Sequence, residues 1–105
     1  MNYRDLEAVR QIVDKATGLE ISYAYDDLVF PDHTAFIIQF DEADNNSLFC
    51  YFQKDCSPTE SKNIFSNLAN ESAKVNCCLV DKGTFHLEQE EENVKIIFNE
   101  ESKVL

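Results

Sequence analysis

The chain has 105 residues, enough for one compact core and too few for two, so a single domain spanning residues 1–105 is expected. Its 20 Asp and Glu outweigh 9 Lys and Arg, a formal net charge of −11, which argues against nucleic acid as a partner because phosphates are bound by cations that displace counterions. Eight Phe and four Tyr supply enough apolar area for a core without a disulfide.

The opening Asn2-Tyr3-Arg4-Asp5 leads into alternating apolar and charged residues without the apolar run of a secretory signal. A cytoplasmic location is expected, with Cys50, Cys56, Cys77 and Cys78 as thiols. No stretch approaches the roughly 20 apolar residues that cross a bilayer, so no membrane contact is expected. Tyr3, Leu6, Val9, Ile12, Val13 and Ala16 recur at helical spacing, with Asn2 placed to cap the helix and Gly18 to stop it.

Three strand-like runs follow, Glu20 to Tyr25, Thr34 to Phe40 and Leu48 to Gln53, separated by turns around Pro31-Asp32 and Asp44-Asn45-Asn46. In the first, Ile21, Tyr23 and Tyr25 alternate toward one side. In the next two, Phe36, Ile38, Phe40, Leu48, Cys50 and Phe52 make one apolar face, yet Ala35, Ile37, Phe49 and Tyr51 make the other apolar as well. Both faces must be covered, either by a helix on each side or by a second molecule. From Leu19 to Gln53 there is no Lys or Arg, while Glu20, Asp26, Asp27, Asp32, Asp41, Glu42 and Asp44 are all acidic.

Ser57-Pro58-Thr59-Glu60 marks a second helix, with an N-cap serine, a proline at the first helical position and a glutamate at the third. Its stripe is Ile64, Phe65, Leu68, Ala69 and Ala73. Three more strands are expected at Val75 to Val80, Thr84 to Gln89 and Val94 to Phe98, with Asp81-Lys82-Gly83 and Glu91-Glu92 as hairpin loops. That register puts Cys77, Leu79, Phe85, Leu87, Val94, Ile96 and Phe98 on the core side, and Cys78, His86, Glu88 and Lys95 outside. The expected fold is α+β, an antiparallel six-stranded sheet of two three-stranded meanders with two helices, in the order α-β-β-β-α-β-β-β.

With only Gly18 and Gly83 in the chain, neither a Walker loop nor a dinucleotide fingerprint can be written, so no nucleotide cofactor is expected. His33, His86 and the four cysteines lack zinc-knuckle spacing, and Asp41 to Asn46 lacks the central glycine of a calcium loop, so no metal is expected. Cys78 facing His86, with Glu88 beyond, is the one arrangement resembling a nucleophile, base and orienting acid. A Glu88–Lys95 ion pair accounts for Glu88 without catalysis, and flat strands lack oxyanion donors, so no catalytic residues are assigned.

A helix, three strands, a helix and further strands in an acidic chain, over about residues 3–90, resembles the type III secretion chaperones. The resemblance implies dimerisation and the wrapping of a protein segment; residues 99–105 leave no room for that family's third helix, and no family residue is carried over. The expected function is a non-enzymatic protein-binding or self-associating module. Tyr23, Ile37, Phe49 and Tyr51 form its expected contact surface, rimmed by Asp41, Glu42 and Asp44. Two alternatives stand beside it: an immunity-like inhibitor masking a basic partner surface, and a small-ligand binder or enzyme using the Cys78/His86 face.

Overall fold

The computed structural model describes residues 5–100, apart from the side chains of Thr34 and Glu100. Helix α1 spans Leu6–Thr17. Asp5 caps it, its carboxylate accepting the Ala8 N–H at 3.1 Å. Asn2, expected in that role, and Tyr3 lie outside the described residues. Gly18 stops the helix as expected, at φ 74° with its N–H donating to the Asp14 carbonyl at 2.7 Å. Helix α2 spans Pro58–Ala73, and the Ser57 hydroxyl accepts the Glu60 N–H at 3.2 Å, as the capping signature predicts.

The strands are β1 (Ile21–Tyr25), β2 (Leu28–Pro31), β3 (Phe36–Phe40), β4 (Ser47–Gln53), β5 (Cys78–Glu90) and β6 (Asn93–Glu100). They form one sheet in sequential order β1 to β6, and the element order is α-β-β-β-β-α-β-β. The fold is α+β, but the two antiparallel meanders of the sequence reading are not what forms. Strands β4 and β5 run parallel, because α2 carries the chain back to the end of the sheet where β4 began. Every other neighbouring pair is antiparallel.

Two local events account for the redistribution. Asp26 and Asp27 close a two-residue turn, with Asp26 at φ 54° and Tyr25 opposite Leu28, and this creates the unforeseen β2. Downstream, the expected Asp81-Lys82-Gly83 hairpin loop is a bulge within one continuous strand. Asp81 pairs with Cys50 and Gly83 with Tyr51, so Lys82 is the extra residue. Turning back at Asp81 would abandon the backbone groups of β4, whereas continuing straight pairs them as far as Gln53 with Phe85.

Both helices lie on the same side of the sheet. Val9, Ile12 and Val13 of α1 and Leu68 of α2 join Val29, Phe36, Ile38, Phe40, Leu48, Cys50, Phe52, Cys77 and Leu79 in the principal core. Each large aliphatic or aromatic side chain fully buried there contributes about 1.5–3 kcal/mol. The expected face of Phe36, Ile38, Phe40, Leu48, Cys50 and Phe52 is therefore the helix side, with Phe36 opposite Phe52, Ile38 opposite Cys50 and Phe40 opposite Leu48. A second cluster of Ile37, Tyr51 and Phe85 sits on the opposite face, with no helical residue packed against it.

Candidate functional site

The helix-free face is apolar because two bulges change which side chains reach it. In β1 the pairing slips between Ile21, opposite Pro31, and Tyr23, opposite Phe30. Ile21 consequently packs into the helix-side core while Tyr23 lies over Phe30, ring centroids 5.8 Å apart. The expected common side for Ile21, Tyr23 and Tyr25 is thus divided. The hydroxyl of Ser22, at the slip, donates to the Asp32 carboxylate, and the Asp32 N–H donates to the Glu20 carbonyl at 2.9 Å, tying β1 to the turn after β2.

The bulge at Lys82 does the same in β5. Leu79 stays with the helix-side core, whereas Phe85 joins the opposite cluster with Ile96 and Phe98 of β6 beside it. The expected single core side running from Cys77 to Phe98 is therefore split between the two faces. The β5–β6 register itself is as predicted: Phe85 faces Phe98, Leu87 faces Ile96 and Glu88 faces Lys95. Gly83 sits in β5 beside Tyr51, and the Tyr51 and Phe98 rings meet across that strand with centroids 4.5 Å apart.

Solvent exposure rises from the centre of this face to its margins. Ile37 is 0 % and Tyr51 3 % exposed, while Tyr23 and Tyr25 reach 59 % and 65 % on one margin, and Leu87 and Val94 50 % and 58 % on the other. Tyr23 and Tyr25 stack nearly parallel, 8° between planes and 6.5 Å between centroids. The Tyr51 hydroxyl donates to Gln39 Oε1 at 3.3 Å, and Gln39 Nε2 donates to the Asp27 carboxylate at 2.9 Å. This chain links the buried centre to the β1–β2 turn and satisfies the Tyr51 hydroxyl.

The residues expected to make contact fall into three groups. Tyr23 is exposed at the margin; Ile37 and Tyr51 are buried supports beneath the surface; Phe49 is half-buried, with the Lys82 ammonium 4.5 Å from its ring centroid. Asp41, Glu42 and Asp44 lie in the loop joining β3 to β4 at one end of the sheet. Asp41 accepts the Ala43 N–H and Asp44 the Asn46 N–H, both at 2.8 Å, so two of the acids also shape their own turn. Tyr25, Leu87 and Val94 were missed as surface residues. For Leu87 the available signal was Gly83 between two strand-like runs, since a strand glycine marks a bulge as well as a turn.

The Cys78/His86 arrangement does not form. Both residues lie on β5, eight positions and about 26 Å apart along an extended strand, and the bulge between them puts them on opposite faces. His86 Nε2 lies 3.2 Å from Glu88 and Nδ1 3.4 Å from Asn99 Nδ2. Burial pushes the Cys50 thiol far above its ordinary range, and it also raises Cys56 and Cys77. None of these three is poised as a nucleophile.

Among the described residues, no three His, Cys, Asp or Glu side chains are grouped to hold a metal ion, and no helix is long and apolar enough to cross a membrane. The chain matches no protein-family model, no curated protein and no solved structure.

Proposed function

We propose that this protein is a non-enzymatic protein-binding or self-associating module whose contact surface is the helix-free sheet face. One observation carries the reading: two separate bulges direct Tyr23, Tyr25, Phe85 and Leu87 onto a face that neither helix covers. Apolar area of that kind is stabilised by burial against another molecule, at roughly 25 cal/mol per Å² removed from water. Exposed tyrosines suit it, since they give large contact area with few rotatable bonds. The four free thiols fit a reducing compartment such as the cytoplasm.

The test compares the wild-type chain with a Tyr25→Asp/Leu87→Asp double variant, by light scattering for self-association and by affinity capture for foreign partners. Both positions are exposed, so the variant should keep its circular dichroism and thermal midpoint while losing whatever the wild type binds. Retention of every partner and of any dimer by a folded double variant would refute the reading. A second reading, an inhibitor that masks a basic surface, is favoured by the carboxylates of the β1–β2 turn and the β3–β4 loop. It requires a complex that weakens steeply as salt is raised.

A further inference from the structure

Strand β5 outruns its neighbour. Pairing with β4 ends where Gln53 meets Phe85, and the Lys54 N–H donates to the Phe85 carbonyl at 2.9 Å. The chain then leaves the line of β4: the Cys56 N–H donates back to the Gln53 carbonyl at 2.9 Å, and α2 begins at Pro58. From Leu87 to Glu90, β5 is paired with β6 alone, and among the described residues no strand lies along its other edge. Backbone groups alternate between the two edges of a strand, so Leu87 and Gln89 present their N–H and C=O to the open edge, as Phe85 presents its own to Lys54. A two-stranded ribbon is marginal by itself in water, and a third strand stabilises it.

The open lane begins at a cavity of about 410 Å³, whose walls include His33, Gln53, Asp55, Glu60, Phe85 and Leu87. A strand continuing the line of β4 would start there. On the helix-free face such a strand would lie beside Leu87, 50 % exposed; on the other face it would lie beside Glu88 and Glu90, with Asp55 and Glu60 at the cavity. The nearby lysines leave these acids uncancelled on the open side. Lys95 lies across from Glu88 on β6, on the far side of β5 from the open edge, and Lys54 lines a separate depression with Lys62. From Phe85 to Glu90 is about 17 Å at about 3.3 Å per residue, so one short extended segment reaches all four carboxylates.

Two copies pairing through this edge meet repulsion. With only residues 87–90 open, Glu88 of one copy would stand against Glu88 or Glu90 of the other. We infer that the open edge of β5 takes up an extended basic segment of a partner protein by strand addition, aliphatic residues alternating with lysines or arginines. Its backbone pairs with Leu87 and Gln89, its aliphatic side chains continue the Leu87 surface, and its cations meet Glu88, Glu90 and Glu60. This goes beyond the contact face proposed above, because the sheet edge is engaged.

The probe is a synthetic peptide of about seven residues, valine alternating with lysine and one tryptophan at a valine position. The chain contains no tryptophan, so the emission of the peptide reports binding without background. Saturable binding is expected, weakened about tenfold or more by high salt or by glutamate in place of lysine. Gln89→Pro removes an outward N–H that no strand of the chain uses, so it should keep the circular dichroism and thermal midpoint while weakening binding about tenfold or more; Gln89→Ala should bind like the wild type. N-methylation of alternate peptide nitrogens should abolish binding in one phase and spare it in the other, a test independent of how the proline variant folds. Tyr25→Asp, at the far margin of the sheet, should leave binding unchanged.

Absence of saturable binding overturns the inference. Equal affinity of the two N-methylated peptides does the same, since backbone pairing would not then hold the peptide. Equal binding of the glutamate peptide overturns the basic partner, and a dimer dispersed by Gln89→Pro overturns it in favour of a second copy. Loss of binding in Tyr25→Asp, with Gln89→Pro unaffected, would move the peptide to the sheet face, which overturns the edge while supporting the proposed function.

Discussion

At the scale of single residues, backbone conformation and burial separate structural from contact roles. Gly83 holds φ 134°, a backbone conformation that residues with side chains rarely adopt. Gly83→Ala should cost about 1–3 kcal/mol in urea denaturation, because the backbone must shift or remain strained. Exposed Cys78 should react with a thiol reagent under native conditions well before Cys77 and Cys50, both buried. Glu7 is held down to about 2 by hydrogen bonds, first from Arg10 at 2.6 and 2.9 Å and then from Gln11. Its depressed value means that the pair's stabilising contribution is present above the ordinary carboxylate value of 4.5 and is lost as pH falls toward 2. A carboxyl titration by NMR should show the Glu7 midpoint returning toward 4.5 in Arg10→Met.

At the scale of elements, the Gly18 stop and the Ser57 cap were readable because their signals are local, while the α1 cap falls on Asp5 and not on Asn2. Ser57-Pro58 and Gly18 act within one turn of the backbone they cap, and no distant contact can reassign them. Strand pairing has no such locality. Asp81-Lys82-Gly83 has the residues of a hairpin loop, and only the presence of β4 alongside makes a bulge the better use of them. Deleting Lys82 should therefore reverse the faces of everything from Gly83 onward. Phe85, Ile96 and Phe98 would be driven to the helix side, and the variant should lose more than about 4 kcal/mol or fail to fold, read by denaturation and near-ultraviolet dichroism. The short β2 escaped notice for a related reason, since four residues ending in Pro31 carry too little periodicity to announce a strand.

At the scale of the molecule, the excess apolar area of the early strands has a definite destination. Of the residues expected to touch a partner, Ile37 and Tyr51 are enclosed by the chain's own side chains, while Tyr23 remains exposed. The proposed contact role thus moves outward to the margins. Phe85→Ala, at a fully buried position, should cost about 3–5 kcal/mol. Leu87→Ala, two residues on and half exposed, should leave stability within about 0.5 kcal/mol while weakening association. Equal losses of stability at the two positions would show that the margin is packed within the chain.

What the sequence by itself determined is the set of decisions made over short range: two helices with the Gly18 stop and the Ser57 cap, the common face of β3 and β4, the β5–β6 register, and the absence of glycine-rich phosphate loops. Period-2 alternation within an uninterrupted strand is a local property, so those facings were legible. Which strand neighbours which, and where one extra residue inverts a face, depend on satisfying backbone groups across the sheet. The tertiary structure alone therefore decided that β4 and β5 lie parallel, that both helices share one side, and that tyrosines and leucine stand on the other.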